Sequence, residues 1–124
     1  MILADTSIWI DHLNRSDATM EVRLQRGQIS IHPFVRGEIA LGNLRQRDLV
    51  LGLLADLPRT LVANDDEVLA IIGRHRLHGC GIGYVDAHLL AATLLSPDTE
   101  LWTRDLKLHA AAAAAGVAVT APGS

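Results

Sequence analysis

Two stretches decide the fold: MILADTSIWIDHL at residues 1–13 and ELWTRDLKLHA at residues 100–110. Each is a short apolar run that stops at an aspartate with hydroxyl side chains beside it. Ile2, Leu3 and Ala4 lead into Asp5-Thr6-Ser7, and Leu101 and Trp102 lead into Thr103-Arg104-Asp105. An apolar run that passes into Asp, Thr or Ser reads as a strand entering a helix N-cap. Those side chains accept hydrogen bonds from the backbone N–H groups that a first helical turn leaves without partners. Such carboxylates are either ordinary caps or ligands that converge on a metal.

Outward from these two units, strand and helix patterns alternate. Residues 5–7 cap a helix running to about Asn14, and Ser16-Asp17 cap a second that continues to about Arg26 and stops at Gly27. Residues 28–32 alternate Ile29 and Ile31 with polar neighbours, a strand pattern. Pro33 suits a first helical turn, so 34 to about 45 reads as helix, and 48–57 is a leucine-rich helix ended by Pro58. Residues 60–63 read as a third strand, and Asn64-Asp65 cap a helix carrying Val68, Leu69, Ile71, Ile72 and His75. The glycines at 79, 81 and 83 mark a loop. Residues 84–95 form a helix closed by Ser96-Pro97, 101–103 a fourth strand, 105–115 a final helix and 117–119 a fifth strand. The alternation predicts one α/β domain over residues 1–121, a mainly parallel five-stranded sheet with helices on both faces, and a short flexible tail at 122–124. In such sheets, sites form beyond the carboxyl ends of the strands.

The bulk numbers agree. A chain of 124 residues and 13.4 kDa fits a single core. With 49% hydrophobic and 20% charged residues it is no disordered chain, and with 3% aromatics its core must be aliphatic. The single cysteine, Cys80, rules out an intramolecular disulfide and fits a reducing cytoplasm. The amino terminus has no signal-peptide pattern, and no apolar run approaches the roughly 20 residues that span a bilayer. A net charge of −3 gives no globally basic face, although ten of the eleven basic residues are Arg, the better fork for phosphate.

Two more acids stand at the same kind of position as Asp5 and Asp105. Glu38 lies in the first turns of the helix after the second strand, and Asp86 in the first turn of the 84–95 helix. Singly, each reads as a cap or a dipole-favoured acid. Together, four carboxylates at one rim would repel unless a hard cation such as Mg²⁺ or Mn²⁺ neutralised them.

These pieces carry a resemblance. Asp5-Thr6-Ser7 after the first strand, Glu38-Ile39-Ala40-Leu41-Gly42, Asp86 through Ala91-Ala92-Thr93, and Leu101-Trp102-Thr103-Arg104-Asp105 are similar, in order and over the whole chain, to the PIN-domain nucleases. Among these the chain resembles the small VapC-type toxins of toxin–antitoxin pairs. The resemblance implies a Mg²⁺- or Mn²⁺-dependent ribonuclease with Asp5, Glu38, Asp86 and Asp105 as its catalytic acids. Asp5, Asp86 and Asp105 would be metal ligands, and Glu38 either a ligand or the group that positions the attacking water. Thr6, Ser7 and Thr103 would be supporting polar residues, and Arg104 and Lys107 would hold flanking RNA phosphates. It also implies a VapB-type antitoxin whose tail covers the site, a transfer or ribosomal RNA loop as substrate, a homodimer and a cytoplasmic location. Some relatives carry a further acid after the Thr-x-Asp segment, where this chain has Leu106, Lys107, Leu108 and His109, so one metal or two stays open.

Other patterns carry less. His75-x-x-His78-x-Cys80 lacks a fourth ligand and paired spacing for zinc. His88 and His109 have no partner pattern and read as surface or core histidines. Asp65-Asp66-Glu67 reads as a helix start. Trp9, Trp102 and Phe34 could stack on bases, but so few aromatics are expected mostly in the core. Residues 79–83 lack the Lys-Ser/Thr of a P-loop. A receiver-like phosphotransfer domain would need a lysine on the last strand, where 117–119 offers none. The alternative to a nuclease is a silent module that kept the fold for RNA or protein binding.

Overall fold

The computed structural model describes residues 1–119. In chain order they form β1 (Ile2–Ala4), α1 (Thr6–Asn14), α2 (Ala18–Gln25), β2 (Ile29–Ser30), α3 (Pro33–Leu41), α4 (Arg47–Ala55), α5 (Asp65–Arg74), α6 (Tyr84–Leu95), β3 (Glu100–Trp102) and α7 (Leu106–Ala114). The predicted tail at 122–124, and the last residues assigned to the domain, lie outside the described residues.

The sheet is parallel with strand order β2-β1-β3. β1 is its centre, pairing Ile2 with Ile29 and Leu3 with Ser30 on one side, and Leu3 with Leu101 and Ala4 with Trp102 on the other. Leu3 and Ala4 are both fully buried, as are Leu101 and Trp102. Neighbouring strand residues point to opposite faces, so burial of both members of each pair means that both faces of the sheet are covered there.

Among the described residues the sheet has three strands rather than the predicted five. Each expected edge strand contributes a single bridge, Ile31 with Arg59 and Leu101 with Ala118, both parallel. At the first edge the Ile31 N–H donates to Pro58 O (2.8 Å) and the Thr60 N–H donates to Ile31 O (3.1 Å). The chain then leaves the sheet, because the next N–H, on Leu61, donates to the Ser96 hydroxyl (3.0 Å) instead of to a strand. The pairing thus sits at Arg59 and not across residues 60–63, and Leu61 and Val62 are left about half exposed. At the other edge Val117 O and the Val119 N–H grip the two sides of Leu101, at 2.7 and 3.0 Å.

Helix starts follow local capping. Asp5, Asp17, Asn64 and Asp105 each accept from first-turn N–H groups of α1, α2, α5 and α7. Gly27, at φ 67°, takes the left-handed turn that ends α2. α3 stops at Leu41, short of the predicted end near Arg45. Arg47, at the start of α4, donates to Ala40 O (2.6 Å) and Gly42 O (3.4 Å), satisfying carbonyls that a longer helix would have used itself. Among the described residues no helix is long and apolar enough to cross a membrane.

α5 starts with a full capping box. The Glu67 N–H donates to Asn64 Oδ1 (2.8 Å) and the Asn64 N–H donates to Glu67 Oε1 (3.0 Å). Asn64→Ala is expected to destabilise the domain by about 0.5–2 kcal/mol, read as a lower urea midpoint. An unchanged midpoint would mean that solvent already serves those N–H groups equally well.

Candidate active site

Asp5 ends the central strand and is almost fully buried. A buried carboxylate needs donors, and Asp5 collects them from both neighbouring segments. Its Oδ1 accepts from the Ser7 hydroxyl (2.5 Å) and the Ile8 N–H (3.3 Å), and its Oδ2 from the Thr103 hydroxyl at the end of β3. Thr103 Oγ1 in turn accepts from the Asp105 N–H (3.0 Å), and Ser7 Oγ from the Arg104 N–H (3.3 Å). The segments after β1 and β3 are therefore tied by side chains as well as by the sheet. Asp105 lies exposed on the same rim, its Oδ1 capping α7 through the Lys107 and Leu108 N–H groups, both at 2.9 Å.

Glu38 stands on α3, exposed, and its Oε1 accepts from the Thr6 hydroxyl (2.9 Å) at the start of α1. Asp86, in the first turn of α6, is half-buried. Burial first, then the charges of Asp105, Asp5 and Glu38, push its carboxyl above the ordinary range. All three other acids act on Asp86 through space, so the structure gathers into one field the four residues that lie 33, 48 and 19 positions apart in sequence.

Among the described residues no three His, Cys, Asp or Glu side chains stand close enough to hold a metal directly. The donor chemistry still fits a hard divalent ion. It is all oxygen, carries an uncompensated excess of negative charge, and is braced by hydroxyls rather than by cations. Such an ion keeps several waters and needs few protein ligands.

The two basic residues near the rim behave differently. The Arg104 guanidinium is engaged away from the acids, with Nε 2.7 Å from Asp11 on α1 and Nη2 3.1 Å from Asp17, the cap of α2. Lys107 lies along the loop before α6. A Cβ on Gly81, which has φ +79°, would sit 3.0 Å from both Lys107 Cδ and Nζ.

Some neighbours of the site were not legible as such. His32 is fully buried at the N-cap of α3, where its Nδ1 accepts from the Phe34 N–H (3.0 Å). Burial, and secondarily His88, lowers its pKa to about 4. His88 is buried beside Phe34 and Tyr84, with Nε2 3.5 Å from Asp65. Asp65 also accepts from the Tyr84 hydroxyl (2.9 Å), so the acidic start of α5 does more than begin a helix. The only sequence signal was the i, i+4 spacing of Tyr84 and His88, which helix geometry places on one face. Trp9 and Trp102 are core, and Cys80 is an exposed thiol on Arg76 O (3.5 Å).

A family model described as "PIN domain" matches residues 2–114. The chain belongs to the PIN-domain family. It is 50% identical over 119 residues, covering 96% of both chains, to "Ribonuclease VapC32" of Mycobacterium tuberculosis strain CDC 1551 / Oshkosh. The same figures hold for the protein of that name in strain ATCC 25618 / H37Rv. This PIN domain is thus of the VapC type, and its four acids occupy the strand-end rim where an α/β sheet places its sites.

The crowding has a consequence for stability. A carboxyl whose pKa is raised in the folded state favours folding when protonated, and that contribution is lost as pH rises through the raised value. At pH 7 ionised Asp86 therefore works against the metal-free fold. Asp86→Asn is expected to raise metal-free stability at pH 7 by about 0.5–1 kcal/mol, allowing for the solvent that reaches the site. That is a melting temperature about 2–5 °C higher, with the difference shrinking as pH falls through the raised value and lost once pH is below the ordinary carboxyl range. Mg²⁺ should stabilise the parent more than the variant. A variant that melts lower without metal would show Asp86 to be a helix-start acid and nothing more.

Proposed function

We propose that this PIN domain is a Mg²⁺- or Mn²⁺-dependent endoribonuclease, the toxin of a type II toxin–antitoxin pair, cutting structured RNA in transfer or ribosomal RNA loops. The observation that carries this reading is the shared field of Asp5, Glu38, Asp86 and Asp105 at one rim. The ribonuclease name of the two half-identical relatives supports it.

Asp5, Asp86 and Asp105 would hold the ion. A bound Mg²⁺ or Mn²⁺ supplies an acidified water and stabilises negative charge on the phosphate. The protein's part is positioning. Ser7 and Thr103 fix both oxygens of Asp5 before substrate arrives, and α7 fixes one oxygen of Asp105. Thr6 holds one oxygen of Glu38, leaving the other to orient water for in-line attack on phosphorus. Breaking the bond to the 3′ oxygen leaves a 3′-hydroxyl and a 5′-phosphate. Lys107 would steady a flanking phosphate, whereas Arg104 braces α1 and α2.

A VapB-type antitoxin would be the partner. The apolar groove of about 400 Å³ between α1, α2 and α4, lined by Trp9, Leu13, Val50, Leu53 and Leu57, suits an amphipathic helix. A basic side chain beyond it would neutralise the carboxylates. A homodimer in the cytoplasm completes the reading, and free Cys80 is compatible with that compartment.

RNA incubated with the protein and Mg²⁺ should be cut to 5′-phosphate and 3′-hydroxyl ends, and EDTA should stop the reaction. Equal cutting in EDTA with 2′,3′-cyclic phosphate ends would remove the metal from the mechanism. No cutting of any loop RNA would leave a silent binding module.

Thr103 offers a second test. Thr103→Val removes the donor to Asp5 while keeping the shape, and cleavage is expected to fall about 10- to 100-fold, with a lower melting temperature because a buried carboxylate oxygen is left without its donor. Full activity in this variant would mean that Asp5 needs no such positioning.

A further inference from the structure

Four aromatic residues serve the whole chain, and they divide sharply: Trp9 and Trp102 are buried at 4% and 1% exposure, whereas Phe34 and Tyr84 are 38% and 49% exposed. The two exposed rings share one support. Phe34 lies 4.8 Å and Tyr84 4.7 Å, centroid to centroid, from the buried imidazole of His88. His32 backs Phe34 at 4.9 Å, and the Tyr84 hydroxyl is held by Asp65 at 2.9 Å. Both rings are thus pinned from behind and open to solvent in front.

Phe34 stands beside one of the four acids. Phe34 begins the helix that carries Glu38, four residues on and so on the same face of α3. Tyr84 begins the helix whose first turn holds Asp86, and it joins Phe34 through His88, which both rings touch. We propose that Phe34 and Tyr84 form a stacking platform for an unpaired base of the RNA beside the scissile phosphate. The proposal rests on the ribonuclease reading above and adds how the substrate is gripped.

Three physical points favour a base. Every nucleobase has an uncharged π-face that aromatic rings accept, and the gain tolerates any sequence. Asp65 and Asp66, at the start of α5 against Tyr84, repel a phosphate from this spot, so an uncharged base suits the rings better than the backbone does. Because the rings are already held, stacking immobilises little that was free. A base splayed out of a loop can reach such a surface, whereas a base inside a duplex cannot.

The test is steady-state cleavage of a loop RNA by the full chain with Mg²⁺. Phe34→Leu and Tyr84→Leu are expected to raise KM by about 5- to 150-fold, the range that one stacked base accounts for. Phe34→Tyr and Tyr84→Phe keep a ring and should stay close to the parent. In the parent, an abasic substitution moved along the positions flanking the cut should raise KM at one position. In the Leu variants that position should cost nothing further. Melting curves check that the Leu variants fold. If they do not, photocrosslinking of 5-iodouridine RNA to the parent, mapped to Phe34 or Tyr84, carries the test.

Unchanged KM in both folded Leu variants, no sensitive abasic position, or crosslinks confined elsewhere would overturn the platform. Leu variants that weaken the antitoxin complex but leave RNA kinetics intact would overturn it too, marking a protein-docking face. The nuclease reading fails separately, if Asp5→Asn cuts RNA as well as the parent. Ring-dependent RNA binding in that case would leave the platform standing.

Discussion

A carboxylate buried at the end of the central strand cannot be left without donors, and the rest of the rim is arranged around meeting that demand. Asp5 takes one hydroxyl from the turn that follows it and another from Thr103, 98 residues later in the chain. Thr103 can donate there because its own oxygen is oriented by the Asp105 N–H. One buried charge therefore ties β1 to β3, sets the entry into α1 and α7, and places a second acid on the same rim. Removing a donor leaves a desolvated charge, which costs far more than the hydrogen bond itself is worth.

The groups proposed as a reactive centre also serve as caps. Asp5 and Asp105 start helices in the ordinary way, which gives each a local structural reason to be present. Asp86 accepts from the Gly83 N–H at the start of α6, but desolvation and three like charges outweigh that gain. A domain of this size is only marginally stable, so a penalty there must be offset elsewhere. Part of the offset comes from tethers between and within elements. Arg104 joins α1 to the cap of α2, the α5 capping box is complete, and Arg23 lies 4.4 Å over the Trp102 ring.

Legibility followed the range of the interactions. Helix starts were readable because a cap and its N–H partners lie within three residues, as at Asp5, Asp17, Asn64 and Asp105. α6 runs over the predicted span, since Gly83 and Ser96-Pro97 bound it locally. The end of α3 was not readable, because the carbonyls of Ala40 and Gly42, on either side of Leu41, are taken by Arg47 from the next helix. The edge strands were not readable either. Whether residues 60–63 join a sheet depends on what Leu61 meets, and it meets Ser96, 35 residues away.

For the site, the chain alone determined which residues are acids, and that all four follow strands or open helices, because capping chemistry and apolar runs are written in adjacent positions. It also determined the family, through four short motifs in order. Tertiary structure decided what those acids feel: that Asp86 is the repelled member, that Glu38 leans on Thr6, and that Arg104 serves Asp11 and Asp17. It decided too that two of four aromatics face solvent around His88 while both tryptophans are buried. Burial and through-space charge depend on which segments pack together, and no window of sequence contains that packing.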